Sequence, residues 1–426
     1  MNDKGLTEPG GTDSASLSPT PEGETTKPNS FSTAPSPETA CDDPPKIPTD
    51  DLSEARDDSQ SVPAIDAKGA AESILKWAKE HRLFARQPMD DIADVIDTEP
   101  AVEVVAAQMF AVPQVEQVLR RRAINLIAFN NESSKVVIFT KSKVTAGDLK
   151  ILPYAARGIA IEYTVGGVPT VRGDIPQTHD PRPFFLHQGN YCCGSSIFPA
   201  NCIGAGTLGF LARDADGHIY GVTNNHVSGA CNHAHPGLPI LAPGPADVSD
   251  DGIDPFCIGR HSKLIPINDG IPENMDISGN LDASCFRISD TANVCSMQGN
   301  LCDTPPQVGE PISGSIVEKI GRTTGHTRGR IIGQSVAPLS VGYLLNEYSV
   351  RKSVYFQSVF IVEGLQGDFS RRGDSGSLVM SCQPDGSRVS VGLIFAGDEQ
   401  KKLTYILSLP TILERLSLSI CSGLNA

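Results

Sequence analysis

The sequence predicts a mostly β protein, in which a large β-rich C-terminal domain follows a small α+β domain and an acidic, disordered tail. Three observations carry this expectation. From residue 204 onward, short β-branched or aromatic runs alternate with turn residues, the pattern of an all-β sandwich or barrel. Near residue 123 the hydrophobic period changes from helical spacing to strand-like runs. The charge is also uneven: residues 1–60 hold thirteen Asp/Glu against four Lys/Arg, a net of −9 out of the chain's −15.

The tail, 1–62, is the first element. Its first 60 residues contain nine prolines and only five residues from Ile, Leu, Val and Phe, too little apolar surface to offset the entropy of ordering them. The net acidity excludes a duplex DNA partner, which requires a basic surface to displace counterions from phosphates. The N-terminus has neither a basic segment nor an apolar run of the secretory type, and no 18-residue apolar stretch occurs elsewhere. A cytoplasmic protein with no membrane partner is therefore expected. Eleven cysteines, an odd number, are expected to be free thiols packed as small hydrophobes.

The α+β domain spans 63–172. Ile74, Trp77 and Ala78 lie at helical spacing in a predicted helix over 70–85, which Pro88 limits. A second helix is expected over 100–110 and a third over 114–122, whose terminal Arg120, Arg121 and Arg122 read as a solvated end favoured by the helix dipole. Strands are predicted at 123–129, 135–140 and 159–163, separated by Asn130-Asn131, Gly147-Asp148 and Gly166-Gly167. The stretch 173–203 lacks periodicity, contains Asp180-Pro181-Arg182-Pro183, and reads as a connector.

In the C-terminal domain, 204–426, strands are expected at 208–212, 219–223, 284–288, 316–320, 330–332, 354–361, 378–382, 389–395 and 403–406, with a closing helix over 409–418. No repeat of 20 to 50 residues is evident, which disfavours a solenoid or propeller.

Chemistry is concentrated at three strings in this domain. Arg372-Gly373-Asp374-Ser375-Gly376-Ser377 sets a serine between glycines, which let the backbone turn so that amides point toward a developing oxyanion. Tyr220-Gly221-Val222-Thr223-Asn224-Asn225-His226 runs a strand directly into a histidine placed to take the serine proton. The carboxylate that orients the imidazole is expected between them, at Asp276 or Asp282. Asp282 is preferred because it sits at the mouth of an alternating strand, where a rigid element can hold a buried acid.

Taken in that order, the TNNHV, LDASCFRI and GDSGSLV strings resemble the chymotrypsin-like (trypsin-like) serine peptidases. The likeness is nearest to a bacterial-type branch in which a GRTTG string, here within 321–331, precedes the serine and a GLIFAG-like strand, here 392–397, follows it. The resemblance covers about 204–416 and implies two β-barrels with the site in the cleft between them. It implies His226 as general base, Asp282 as orienting acid and Ser375 as nucleophile, with the amides of Gly373 and Ser375 as the oxyanion hole. Phe369, six residues before the serine, stands where many relatives have the base of the specificity pocket. With Phe395 and Gly397 it suggests a pocket for apolar or small side chains. The sequence departs from many relatives in having Ser377-Leu378 after Ser-Gly. Serine at 377 also removes the G-x-S-x-G elbow of α/β-hydrolases.

Other residues are read more plainly. Cys231, His233 and His235, with Cys257 at a distance, match no common zinc spacing and are expected to be a polar loop, so no metal is assigned. Cys192-Cys193 has no neighbouring histidine to activate it. Arg322 is expected to make a structural ion pair or carbonyl clamp. No Walker or Rossmann glycine motif is present, and no cofactor is expected. The resulting expectation is an intracellular serine endopeptidase acting on protein or peptide substrates, regulated through 63–172 by a possible protein partner. The alternative is a catalytically silent scaffold that keeps the protease fold for binding.

Overall fold

Six strands of the C-terminal half close on themselves. In hydrogen-bonded order they are Ile316–Gly321, Leu378–Cys382, Arg388–Asp398, Leu403–Ser408, Phe360–Gly364 and Gly325–Ser335, and the last pairs back onto the first from Ile316↔Arg330 to Gly321↔Gly325. Closure removes the unpaired edges that an open sheet would expose. A second sheet of eight strands comes mostly from earlier in the chain, with Ser419–Ile420 added at one edge, and stays open, with central strands Phe210–Arg213, Ile219–Thr223, Ser284–Ile288 and Phe256–Leu264. The fold is thus mostly β, with one closed and one half barrel in the two-barrel arrangement that the resemblance implied.

The computed structural model describes residues 66–85, 109–156, 158–167, 183–248, 254–269, 276–345, 350–398 and 401–426, all within the unit Ser61–Ala426. The expected tail and nearly all of the expected helix 100–110 lie outside the described residues. Among the described residues no helix is long and apolar enough to cross a membrane.

The strands of the α+β region extend the closed barrel. Ile124–Asn130 pairs with the long strand Gly325–Ser335 at Ala128↔Ser335 and Phe129↔Gln334, and the sheet continues through Lys135–Thr140 to Ile159–Val165. One hydrophobic cluster joins Leu126, Ala128, Val137 and Phe139 to Val222 and Cys285 of the half barrel and to Leu378, Leu393 and Phe395 of the closed barrel. A second cluster packs the helices Ala67–Glu80 and Pro113–Arg122 onto the other face of the α+β strands, through Ile74, Trp77, Leu119, Ile127 and Ile138. Burial of whole aliphatic side chains, at about 1.5–3 kcal/mol each, is what holds these layers together.

Where the sequence was read differently, local chemistry explains the difference. The first helix starts at Ala67 rather than 70, because Asp66 caps it by accepting from the Gly69 N–H at 2.8 Å. It stops at Glu80, and Leu83 and Phe84 turn away to bond and bridge Ile124. Arg120, Arg121 and Arg122 do end the helix Pro113–Arg122, the first two exposed, but Arg121 and Arg122 also bind the buried Asp148 carboxylate, at 2.5 and 2.6 Å. The expected strand 354–361 is two strands, Val350–Phe356 and Phe360–Gly364, broken at Ser358, whose φ is 53°. From residue 183 the connector itself contains strands, and Asn190–Cys193 pairs in parallel with Val294–Gln298. Burial on both faces leaves such a strand no alternation to read. The closing helix, Leu409–Leu416, buries Leu409, Ile412, Leu413 and Leu416 at i, i+3, i+4 and i+7.

Candidate active site

The half barrel carries the histidine. Strand Ile219–Thr223 is buried throughout, and Gly221 leaves room for the Phe286 ring of the neighbouring strand, where a Cβ would overlap it. The strand delivers the chain into a single helical turn, Asn225–Ser228, with His226 on it. Asn224 fixes that turn, donating to the Asp282 carbonyl at 2.6 Å while its own carbonyl accepts from Ser284 Oγ at 2.7 Å. His226 then meets Asp282 twice. Its backbone N–H donates to Oδ1 at 3.0 Å, and its ring Nδ1 lies 2.5 Å from Oδ2. Asp282 has no solvent exposure, whereas the imidazole keeps 11%. A buried carboxylate bound this way sets the ring orientation and leaves Nε2 as the free nitrogen. Asp276 is elsewhere: it is exposed and accepts from the N–H and Oγ of Ser278 in its own turn.

The closed barrel carries the serine. Ser375 is half-buried on the turn before strand Leu378–Cys382. Its carbonyl accepts from the Thr207 N–H of the half barrel at 2.9 Å, and the next residue, Gly376, donates to the Ile394 carbonyl at 2.9 Å. The turn is thus tied to both barrels. Gly376 has φ 92°, and a Cβ there would overlap Thr223 Oγ1 and lie 2.5 Å from the Thr207 carbonyl oxygen. This close approach to Thr223, three residues before His226, brings the serine turn against the histidine segment.

Gly373, also left-handed at φ 93°, is held by Thr207 Oγ1 on its carbonyl at 2.8 Å. The preceding carbonyl, of Arg372, accepts from Thr323 Oγ1 at 2.5 Å, so the Gly373 N–H on the trans peptide points the opposite way. Asp374, Gly376 and Ser377 all donate their N–H groups within the fold; among the described residues those of Gly373 and Ser375 have no acceptor. Two free donors, on the serine itself and on the glycine two residues before it, are what an oxyanion site requires.

The side chain between them is buried and anchored. Asp374 accepts from the N–H groups of Thr323 and Thr324 at 2.8 and 3.1 Å, from Thr324 Oγ1 at 2.7 Å and from the Arg371 N–H at 2.9 Å. Lys319 Nζ lies 3.3 Å away, and neither side chain of the pair is exposed. Burial depresses the Lys319 ammonium, and Asp374 acts against that shift. Arg322 makes a structural ion pair, both its Nε and Nη2 reaching Asp247.

The pocket residues fall differently. Phe369 and Phe395 have no exposed surface. Phe369 is packed with Val362 and close to Gly329, and Phe395 lies against Phe356 with ring centroids 4.8 Å apart. Of the three, Gly397 alone is partly open. Cys231 lies near Asp282 and is pushed up by burial and by that carboxylate. Among the described residues, the cluster of metal-ligand type is Asp214, Asp216 and His218. It is a hairpin turn in which Asp214 already accepts from the Asp216 and His218 N–H groups and from Tyr220.

Two residues at the site escaped the sequence reading. Lys319 follows an acidic residue in a strand and looks like an exposed position. Tyr343 donates its hydroxyl to Asp282 Oδ2 at 2.8 Å from a distant hairpin. The alternation of Leu339, Val341 and Tyr343 was the available signal for a buried face there.

No family model matches the chain. Protein NARROW LEAF 1 of Oryza sativa subsp. japonica is 26% identical over 230 residues, covering 48% of this chain. The chain spans 36% of the length of that curated relative. Among solved structures, Thermobifida fusca Protease A matches at 16% identity and TM-score 0.36, over 55% of this chain and 98% of that one. A Nocardiopsis protease matches at 18% and 0.35, over 54% and 97%. A glutamic acid-specific serine protease, described as using a histidine triad in substrate binding, matches at 15% and 0.36, over 54% and all of that chain.

Proposed function

We propose that the chain is a serine endopeptidase acting through His226, Asp282 and Ser375. The observation that carries the reading is the paired contact of His226 with a fully buried Asp282, at the end of a strand against which the Ser375 turn is packed. In this mechanism His226 Nε2 takes the Ser375 hydroxyl proton as Oγ attacks the peptide carbonyl. The carbonyl oxygen gathers charge toward the free N–H groups of Gly373 and Ser375. His226 passes its proton to the leaving amine, and the acyl-enzyme is hydrolysed by water through the same groups in reverse. Asp282 orients the ring and steadies the imidazolium.

Cleavage after apolar or small residues is part of the proposal: position 369 holds a phenylalanine, itself buried, so no carboxylate stands there to pair with Lys or Arg. Robust cleavage only after Lys or Arg in a peptide library would overturn it. Regulation through 63–172 is supported by the sheet that these residues share with the closed barrel. The ten described cysteines are free thiols, which fits action in the reducing cytoplasm.

A fluorophosphonate probe tests the central claim. Wild type is expected to be labelled and Ser375→Ala not. Failure of the wild type to label, with its fold intact, would favour the scaffold reading.

A further inference from the structure

The geometry assigns Tyr343 as a positioning residue that holds the Asp282 carboxylate in line with His226, making a fourth member of the site; this rests on the peptidase reading above. Asp282 Oδ2 is the oxygen that faces His226 Nδ1, and the Tyr343 hydroxyl donates to that same oxygen at 2.8 Å. Oδ1 is held separately by the His226 N–H. The carboxylate therefore has three donors on two oxygens and no access to water. Removing Tyr343's donor leaves a lone pair of a buried anion unmet and one oxygen free to swing from the ring. The phenol ring adds a second restraint, standing edge-on to the imidazole with centroids 6.0 Å apart.

The tyrosine is itself rigidly supplied. It sits on the hairpin Leu339–Leu345 and Val350–Phe356, which is inserted between two strands of the closed barrel and paired from Leu339↔Phe356 to Leu345↔Val350. Leu339, Val341, Tyr343, Val354 and Phe356 are all buried. The hairpin is docked onto the loop that carries the acid: Asn280, two residues before Asp282, donates to the Tyr355 carbonyl at 3.0 Å, and Asp269 bridges Val354. Tyr343 thus reaches from the closed barrel into the base–acid pair of the other barrel. Burial, reinforced by Asp282, pushes its phenol well above the usual range, so it stays a donor at any working pH.

The test compares wild type with Tyr343→Phe, which keeps the ring and deletes the hydroxyl. A hydrogen bond to a charged group is worth enough to slow fluorophosphonate labelling at Ser375 by about tenfold or more. The low-field proton resonance of His226 Nδ1–H should broaden, because the carboxylate no longer shields it from exchange. Labelling within about twofold of wild type, with that resonance retained, would overturn the assignment. If wild type itself is not labelled, the peptidase reading fails, and the Nδ1–H resonance alone decides Tyr343's role. If Tyr343→Phe does not fold, 3-fluorotyrosine installed at position 343 replaces it. Its fluorine resonance is expected to resist alkaline titration and to move on Asp282→Asn. A resonance that titrates as free 3-fluorotyrosine does would sink the proposal.

Discussion

The two halves of the candidate site are held in different ways. His226 and Asp282 are fixed by side-chain bonds to a buried charge, and the half barrel around them needs only to exclude water. The Ser375 turn is held along its own chain path: two left-handed glycines set the backbone, and the buried Asp374 carboxylate between them takes four hydrogen bonds with a buried lysine behind it. A proton relay depends on where one charge sits, whereas an oxyanion site depends on where two N–H groups point. Substitutions in the first half should therefore change rate with little change in stability. Those in the second should change both together.

The largest expected effect is on rate. Asp282→Asn keeps the shape but loses the charge and favours the wrong ring tautomer, so turnover should fall by something on the order of 10⁴-fold. Thermal unfolding should move far less than this loss suggests. A comparable loss of stability would mean that the two halves are not distinguished in this way.

On the other side, Lys319→Met should act first on folding. Breaking a buried ion pair by removing one partner typically costs about 3–5 kcal/mol, because the remaining charge is stranded. Denaturant unfolding should show this, and labelling of Ser375 should weaken in parallel as Asp374 loosens the Gly373 and Ser375 amides. Full labelling in a destabilised protein would separate the pair from the oxyanion site. Gly376→Ala comes next. The left-handed backbone alone costs about 1–3 kcal/mol, and the added Cβ meets Thr223 and the Thr207 carbonyl. Unchanged stability here would show that the serine turn has freedom to relax.

The same contrast explains what could be read in advance. The strands Ile219–Thr223, Ser284–Ile288 and Leu378–Cys382 were legible to the residue, since each is a short, mostly apolar run bounded by turn residues. His226, Asp282 and Ser375 stand near their ends, where local pattern made each a candidate, with Asp276 still in play beside Asp282. Lys319 and Tyr343 were not legible, because their importance comes from partners 55 and 61 residues away rather than from their neighbours. The sharing of one sheet by Ile124–Asn130 and Gly325–Ser335 was hidden for the same reason: the α+β segment looks self-contained along the chain. Phe369 shows a different effect. Its position relative to the serine suggested a pocket wall, but the apolar cluster with Val317 and Val362 claims the ring.

The smallest expected effect falls on the other acid considered for the triad. Asp276 lies six residues before Asp282, close enough in sequence to leave both in play, but it is exposed and bonded to Ser278 rather than to His226. Its carboxyl is held below the ordinary range by the Ser278 bonds, a local turn effect with no path to the imidazole. Asp276→Asn should therefore leave the Ser375 labelling rate unchanged and alter stability by no more than about 0.5 kcal/mol, as surface substitutions do. The two substitutions, measured side by side, test whether contact with the ring rather than order along the chain selects the acid. A slowed Asp276→Asn protein with an unaffected Asp282→Asn would reverse the assignment and, with it, the role given to Tyr343.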